Sequence, residues 1–528
     1  MPSSTFAQGG LRVTHPASYA AHQAQPGRRG RSLPGDPSTA GEGDPAAQQL
    51  LDALQDKGFT KVDWVELEPA ATRELGPKGA RRAPRRGKVA IDVDLKGNED
   101  AVVLVEQDGF YTWQLPVRDS SGPGERSRDL GVGPRTAHFE FTVAPARPAA
   151  VARADRGLGP GLAIGAVRAF VLRFAAPAVT RAVIKKLEEH VHPGLVRLVG
   201  PDPTTWTRVE GSAVALPTDT TPRILLFIHG TFSSTLGGFA ALAGQPAGAA
   251  FLQAALDSYD AVLGYDHRTL SVDPKVNAAE IATVLKGLGA SPASVDIICH
   301  SRGGLTTRSL LEEVLPGSGW NGTVDRVVFV AATNAGTHLA DAKRWAELVN
   351  LYTNLIAAGA RAASALGAVP VAVVVGEVVA GLGALVKYLA SYAVKEDGVP
   401  GLAAMTPDGK FVREINSAQP GQPVAPTPWF VISSNFHVEL FGDRHEPAEF
   451  PRALVERLKE GAVDQIFKAD NDLVVDTSSM SAIDLPGGGG FVLDTLAYGT
   501  NPRVYHNNYF SQPETAAALT DWLLTRLD

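Results

Sequence analysis

The hydrophobic and polar positions follow two different patterns along the chain. Between Val89 and Val143 they form short β-like runs, VAIDVDL, AVVLVEQ, FYTWQL and HFEFTV, of the length and composition typical of strands. Asp108-Gly109 separates the second run from the third and predicts a tight hairpin turn. This part is therefore expected to form a small antiparallel β domain, a sandwich being one such arrangement, and it carries no catalytic constellation.

After about residue 205 the pattern changes to compact apolar runs, with helical segments between several of them. Continuous apolar runs suit strands that are covered on both faces. Their alternation with helices predicts an α/β domain with a mostly parallel sheet flanked by helices. The predicted strands are Arg223–Ile228, Ala261–Tyr265, Val295–Cys299, Arg326–Ala331 and Trp429–Ser433.

An apolar segment at 341–400 interrupts this alternation. Its central run approaches the length of about 20 residues that a transmembrane helix needs, so a membrane span is the alternative interpretation. Pro370, Glu377 and several glycines interrupt the run, which lies between two predicted strands of the sheet. We therefore expect an insertion of helices packed over the sheet, at the place where a cap or lid would be inserted.

The remaining segments complete the predicted domain organisation. Residues 1–45 are rich in Gly, Pro, Ser and Ala and are predicted to form a disordered tail. The β-rich domain is placed at 46–149, a helical connector at 150–204 and the α/β domain at 205–528. The basic stretch GPKGARRAPRRGK at 76–88 is interpreted as a solvated linker, because it contains prolines and no interleaved aromatic residues.

Composition and charge narrow the classes of function. The chain has 528 residues, of which 44% are hydrophobic, and carries a net charge of −7, which argues against nucleic acid as the main partner. Cys299 is the single cysteine, so neither an internal disulfide nor a cysteine-type zinc site is available. We expect no metal and no cofactor. The N-terminal sequence lacks the apolar core of a signal peptide, so a cytoplasmic location is expected.

The segment Val295–Arg308, VDIICHSRGGLTTR, carries the strongest chemical signal. A buried strand runs into Ser301 and then directly into a helix, with Gly303 and Gly304 after the serine. A serine at such a sharp turn exposes its hydroxyl above the sheet, which is the geometry of a nucleophile elbow. The usual pattern is G-x-S-x-G, and Cys299 stands here at the first glycine. An ordinary turn with Ser301 as a helix cap is the alternative.

A serine nucleophile needs hydrogen-bond donors for the oxyanion that forms when it attacks a carbonyl group. The backbone N–H of Arg302, directly after the serine, is the first candidate. RILLFIHGTF places His229-Gly230-Thr231 at the end of an earlier strand, so the N–H of Thr231, or that of Phe232, is the second. His229 is expected to hold this loop rather than to act as a base.

The nucleophile also needs a base and an acid, which are expected in the chain order serine, acid, histidine. His506 is the last histidine and lies before the terminal helix, and Asp472 is the acid candidate. Asp470 and Asp476 are alternatives for the acid, and a solvated or calcium-like turn is the alternative role of that cluster. The histidines that stay open as reserve bases or cleft residues are His267, His338 and His437, whereas His300 is expected to point away from Ser301.

These motifs make residues 223–510 resemble the serine α/β-hydrolases, specifically their lipase-like branch. The matching segments are HSRGG at the elbow, ATNAGT after the next strand and NDLVV at the acid turn, which lacks the family's glycine. The resemblance implies Ser301, His506 and Asp472 as a catalytic triad, with the Thr231 and Arg302 amides at the oxyanion.

The leading hypothesis is therefore a serine hydrolase that cleaves carboxylic esters through an acyl-enzyme. The apolar insertion suggests a small-molecule or lipid ester with a hydrophobic acyl chain, and transient contact with a membrane surface. One alternative is a catalytically weak hydrolase fold that serves as an interaction module. The other is an acyltransferase or a peptidase that uses the same nucleophile. The oligomeric state is left open.

Overall fold

The computed structural model describes most of the chain and divides it into two compact units, which are treated separately. The β unit comprises Met1–Thr180, Val386–Ala393 and Pro451–Leu454, and the α/β unit comprises Arg181–Leu385, Val394–Phe450 and Val455–Asp528. The described residues are 1–6, 10–24, 54–55, 58–69, 87–117, 135–143, 166–175, 188, 191–210, 214–288, 292–366, 371–391, 398–417, 427–438, 455, 469–483 and 492–525.

The β unit contains two antiparallel sheets, with strand orders β1-β2-β5-β8 and β3-β4-β9-β6-β7. Ile91 and Phe139 of the first sheet and Val103 and Val171 of the second are fully buried in one shared hydrophobic core. The predicted antiparallel β domain is thus confirmed, as a sandwich. Its strands are β1 (Ser3–Phe6), β2 (Leu11–Thr14), β3 (Tyr19–Ala24), β4 (Phe59–Pro69), β5 (Gly87–Leu95), β6 (Glu99–Gln107), β7 (Phe110–Gln114), β8 (Arg135–Val143) and β9 (Val167–Ala175).

The hairpin predicted at Asp108-Gly109 is confirmed between β6 and β7. Gln107 pairs with Phe110, so the turn contains only these two residues. Both have positive φ, 54° and 81°, which is the conformation that two-residue hairpin turns require.

Two segments of the predicted domain organisation differ in the structure. Strands β1, β2 and β3 lie within the tail that was predicted to be disordered, and Leu11 and Val13 are fully buried in the sandwich core. The prediction is wrong for these residues because β2 pairs with β5, a partner far along the chain that local composition does not show. Most of the basic stretch at 76–88 lies outside the described residues.

The predicted helical connector at 150–204 contains strands instead. Strand β9 pairs with both β4 and β6 in the middle of its sheet, and β10 (Gly194–Arg197) belongs to the sheet of the α/β unit. The alanines and arginines of this region favoured a helix. The segment forms a strand instead because it pairs with β4 and β6 on either side, which are distant in the sequence. The helical spacing at 179–191 falls almost entirely outside the described residues.

The α/β unit is built on an eight-stranded sheet with the order β11-β10-β13-β12-β14-β15-β16-β17. All neighbouring strands from β13 to β17 are parallel, and β10 is antiparallel to both of its neighbours. The five predicted strands are confirmed, and so is the predicted α/β architecture with a mostly parallel sheet. The remaining strands are β11 (Thr207–Val209), β12 (Arg223–Ile228), β13 (Ala261–Asp266), β14 (Ser294–His300), β15 (Thr323–Val330), β16 (Trp429–Phe436) and β17 (Val492–Asn501).

Helices connect these strands. Helix α3 begins with Pro274 after Asp273, whose side chain accepts a hydrogen bond from the Val276 N–H and so caps the helix. A π-helical segment, Ser309–Val314, continues α4. The helices are α1 (Thr235–Phe239), α2 (Pro246–Ser258), α3 (Pro274–Gly287), α4 (Gly303–Arg308), α5 (Leu315–Ser318), α6 (Trp345–Leu366), α7 (Val371–Ser391), α8 (Pro400–Ala403), α9 (Lys410–Ile415), α10 (Thr477–Met480) and α11 (Pro513–Thr520).

The apolar insertion, which was predicted to be helical, contains the helices α6 and α7. Trp345 and Leu355 of α6 and Leu385 of α7 are fully buried. Among the described residues no single helix has both the length and the hydropathy of a membrane span, although the short pair Thr235–Gly244 and Pro246–Ser258, bent by 115°, passes that test together.

Candidate active site

Ser301 occupies a strained turn at the end of strand β14. Its φ angle is +54°, a conformation that non-glycine residues seldom adopt. The Ser301 N–H donates to the carbonyl of Val330 at 3.0 Å, and the Gly304 N–H donates to the carbonyl of Ser301 at 2.9 Å. These bonds hold the residue between β15 and the start of α4, as the elbow pattern predicts.

Close backbone packing explains the glycines around Ser301. A Cβ atom on Gly230 would lie 2.7 Å from the Ser301 Cβ, and one on Gly303 would lie 2.4 Å from the carbonyl oxygen of Ile228. Cys299 occupies the place of the usual first glycine and is fully buried, 3.5 Å from the carbonyl of Val328. The strand therefore accommodates a small side chain there.

We expect Gly303→Ala to destabilise the α/β unit by about 1–3 kcal/mol, because the new methyl group would overlap the backbone of β12. The same shift would displace the elbow and lower activity. Gly287→Ala in α3 is the matched control, since no atom lies within 4 Å of its Cβ position; it should be neutral or stabilise the unit by up to about 1 kcal/mol. Urea unfolding measures both, and equal stability of the two variants would contradict the packing argument.

The structure brings Ser301, His506 and Asp472 into one chain of hydrogen bonds. The Nε2 of His506 lies 3.0 Å from the Oγ of Ser301, and its Nδ1 lies 2.9 Å from the Oδ2 of Asp472. A carboxylate only accepts, so Nδ1 carries the proton and Nε2 is left to accept from the serine hydroxyl. All three side chains are almost completely buried.

Asp472 is held by its own turn. Its Oδ1 accepts from the backbone N–H groups of Val474 and Val475, at 3.1 and 2.8 Å, and its Oδ2 also accepts from the hydroxyl of Tyr509 at 3.2 Å. Burial and the neighbouring Asp472 raise the pKa of Tyr509, so its phenol stays a neutral donor. These bonds fix the carboxylate, so that Oδ2 faces the Nδ1 of His506 and Oδ1 faces the backbone of its own turn.

The other two acids of the cluster have different surroundings. Asp470 is exposed. Asp476 accepts instead from the Nδ1 of His338 at 2.9 Å. Of the three candidate acids, the geometry therefore joins Asp472 to the histidine beside Ser301.

The segment ATNAGT supports the acid turn. The Thr337 hydroxyl donates to the carbonyl of Val474, and the Asn334 Nδ2 donates to the carbonyl of Met480 at 2.8 Å. Gly336 has a φ angle of +83°, and a Cβ atom there would lie 2.4 Å from the carbonyl of Met405. Through these hydrogen bonds, the segment that follows β15 holds the turn that carries Asp472.

The predicted oxyanion donors are the backbone N–H groups of Thr231 and Arg302. Within the described part of the chain, the N–H groups of Thr231 and Arg302 have no hydrogen-bond acceptor. The N–H of Phe232, the alternative donor, is engaged by the hydroxyl of Thr269 at 3.2 Å. The geometry thus favours Thr231 over Phe232.

The Arg302 side chain anchors the elbow from below. It is fully buried and donates to the Asn277 side chain at 3.0 Å and to the carbonyls of Val272 and Gly401 at 2.7 and 3.2 Å. Burial lowers the pKa of its guanidinium to about 10, and the charges of nearby carboxylates, that of Glu188 first, oppose the fall. The side chain therefore remains a cation at neutral pH.

The other histidines take structural positions. His229 accepts from the His267 N–H at 3.1 Å, and their rings stack with centroids 4.0 Å apart. The Nε2 of His300 lies 3.1 Å from the carbonyl of His506, and the two rings lie 4.8 Å apart. His437 is exposed.

We expect the stability of the α/β unit to fall as the pH drops from 7 toward 4. Burial lowers the pKa of His229, His267 and His300, that of His300 to about 3. The unfolded chain binds protons at these histidines below about pH 6.5, while the folded chain does not, so protonation favours unfolding.

His300→Gln should reduce this pH dependence, because glutamine can still donate to the His506 carbonyl but does not titrate. Urea unfolding at several pH values between 4.5 and 7.5 measures the slope. An identical slope in the wild type and the variant would contradict the burial argument for His300.

A mostly apolar pocket opens at Ser301. Sequence patterns did not identify most of its residues, and in particular not Tyr352, which comes from helix α6 of the insertion. Among the described residues no group of three or more His, Cys, Asp or Glu side chains is placed to hold a metal ion. The pocket is lined by Thr231, Ser301, Thr333, Thr337, Ala340, Leu348, Tyr352, Leu402, Met405 and Val474.

Two families match the chain, and both are described as domains of unknown function. The model of the first, DUF7379, matches residues 193–524, and that of the second, DUF7362, matches residues 8–174. These ranges correspond to the main segments of the α/β unit and the β unit. No match was found among curated proteins.

Several solved structures are similar at low identity. Lipase BlEst2 of Bacillus licheniformis, in mature form, is 15% identical, covering 57% of this chain and 95% of its own, with a TM-score of 0.32. Lipase 1 of Pelosinus fermentans is 13% identical, with coverages of 57% and 96% and a TM-score of 0.37. A thermophilic esterase of Thermogutta terrifontis is 13% identical, with coverages of 60% and 98% and a TM-score of 0.30.

Proposed function

We propose that this chain, which belongs to the DUF7379 family, is a serine hydrolase of the lipase and esterase type that cleaves carboxylic esters. The family itself is described as a domain of unknown function. The observation that supports this most directly is the hydrogen-bonded series Ser301–His506–Asp472, located at the elbow of an α/β-hydrolase sheet. A buried serine in a strained turn, a histidine and a buried acid have little structural reason to be aligned in this way.

In the proposed reaction, Ser301 attacks the ester carbonyl carbon while His506 Nε2 takes the hydroxyl proton. Asp472 holds the resulting imidazolium through Nδ1 and stabilises its charge. The tetrahedral intermediate collapses to an acyl-enzyme, and His506 returns the proton to the departing alcohol. Water then attacks the acyl-enzyme by the same steps in reverse, which releases the acid and restores Ser301.

The backbone N–H groups of Thr231 and Arg302 are the proposed oxyanion donors. Their lack of any acceptor among the described residues supports this role, since fixed, unengaged donors stabilise developing charge without reorganisation.

The pocket beside Ser301 supports an apolar acyl group as the part of the substrate that binds there. Ala340, Leu348, Leu402, Met405 and Val474 contribute its aliphatic lining. A role in lipid metabolism, contact of the insertion with a membrane surface and a cytoplasmic location all stay predictions.

A panel of p-nitrophenyl esters with acyl chains of two to twelve carbons tests the function. We expect saturable turnover that yields the free acid, and loss of turnover after treatment with a fluorophosphonate. Product analysis in the presence of a competing alcohol or amine separates hydrolysis from acyl transfer. No turnover of any ester by the folded protein would contradict the proposal and favour an interaction module.

A further inference from the structure

Helix α6 of the insertion brings one polar side chain to the proposed nucleophile. Tyr352 lies two turns into this helix, is 5% exposed and lines the pocket together with Ser301 and Thr231. It is the only phenol among the pocket's described residues. No motif of the sequence points to it, because the helix lies far along the chain from the elbow and its mixed apolar and polar residues carry no catalytic pattern.

The Tyr352 ring is fixed by two aromatic contacts. It packs edge-to-face on Phe232, with centroids 5.2 Å apart, and its plane is nearly perpendicular to the His506 ring, at 6.3 Å. Phe232 directly follows Thr231, the proposed oxyanion donor. The phenol is therefore held between the oxyanion loop and the proposed base, with its position set by packing rather than by solvent.

The Tyr352 hydroxyl interacts with the side chain of Ser301. Burial, with the charge of Asp472, raises the pKa of this phenol, which therefore keeps its proton. Because the Ser301 hydroxyl proton is directed at His506, the oxygen of Ser301 is left to accept from the phenol. Tyr352 is thus a neutral phenol in the same pocket as the atom that would attack the substrate.

We propose that Tyr352 is a catalytic residue that donates a third hydrogen bond to the oxyanion, beside the amides of Thr231 and Arg302. This inference rests on the proposed ester hydrolysis. When Oγ of Ser301 bonds to the carbonyl carbon, the carbonyl oxygen becomes an oxyanion. The oxyanion and Oγ are then bonded to the same carbon and lie close together. The phenol then shifts its hydrogen bond from Oγ to that oxyanion and keeps its proton throughout, so no proton transfer is added to the triad's own.

The inserted helix thereby becomes part of the catalytic site rather than only a cover over it. A donor that strengthens its bond as charge develops stabilises the transition state more than the ground state. Its removal should consequently appear in kcat and leave KM nearly unchanged.

Tyr352→Phe removes the hydroxyl and keeps the ring that packs on Phe232. We expect kcat to fall about 10²-fold, by a similar factor for aryl and alkyl esters, and the affinity for a boronic acid inhibitor that forms a tetrahedral serine adduct to fall as well. Tyr265→Phe, in strand β13 and outside the pocket, is the matched control and should keep wild-type kcat. Phe232→Leu loosens the contact that orients the phenol and should give a smaller loss of kcat.

The outcomes separate this inference from the function on which it rests. Unchanged kcat in Tyr352→Phe with an active wild type overturns the catalytic role alone. So does a loss confined to alkyl esters, which would place the phenol at the leaving group, or a rise in KM at constant kcat, which would indicate binding of the ground state. A wild type that hydrolyses no ester overturns the proposed function and this inference together.

Discussion

Ser301→Ala is expected to lower kcat for ester hydrolysis about 10⁵- to 10⁶-fold, because no other group can form the acyl-enzyme. Alanine keeps the Cβ atom that contacts Gly230, so the strained turn and the packing of the elbow should persist. The variant should therefore fold with wild-type circular dichroism and bind substrate without cleaving it.

Ser309→Ala is the matched control for this substitution. Ser309 is buried a few residues further along, and its hydroxyl has no hydrogen-bond partner among the described residues. Its removal should leave kcat within about twofold of the wild type, as is usual for a change that breaks no interaction. Comparable activity of Ser301→Ala and the wild type would contradict the nucleophile assignment.

Asp472→Asn is expected to lower kcat about 10⁴-fold with little change in structure. The asparagine carbonyl can still accept from the N–H groups of Val474 and Val475, so the turn should hold. Its amide group would donate to Nδ1 of His506 and favour the tautomer that carries the proton on Nε2. That tautomer cannot accept the proton of Ser301.

Asp476→Asn provides the control, because Asp476 lies on the same turn but pairs with His338. We expect it to change kcat less than tenfold. Steady-state kinetics on one ester at pH 7.5 compares the two variants. A larger loss in Asp476→Asn than in Asp472→Asn would contradict the choice of acid and transfer the role to the Asp476–His338 pair.

Much of the sheet and of the candidate site was predictable from sequence for one physical reason. Strands covered on both faces must be continuous apolar runs, so β12, β14 and β15 stand out. The end of such a strand also fixes where a side chain can project, which locates Ser301 after β14 and Thr231 after β12. The order of acid and histidine along the chain then pointed to Asp472 and His506, which the structure places beside the serine.

Other features escaped because they depend on contacts between distant segments. Strand β9 forms because it pairs with β4 and β6, whereas the composition of its region alone is typical of a helix. Glu188 accepts three backbone N–H groups, those of Thr269, Leu270 and Ser271, and no local pattern distinguishes it from a solvated glutamate. Tyr352 likewise acquires its position only when the insertion packs on the elbow.

Covalent labelling with a fluorophosphonate tests the central claim most directly, since it needs an activated serine but no knowledge of the substrate. Intact-mass and peptide mass spectrometry of the full chain should find a single adduct on Ser301, absent from Ser301→Ala and much slower to form in Asp472→Asn. An unlabelled wild type, or an adduct on any residue other than Ser301, would contradict the account.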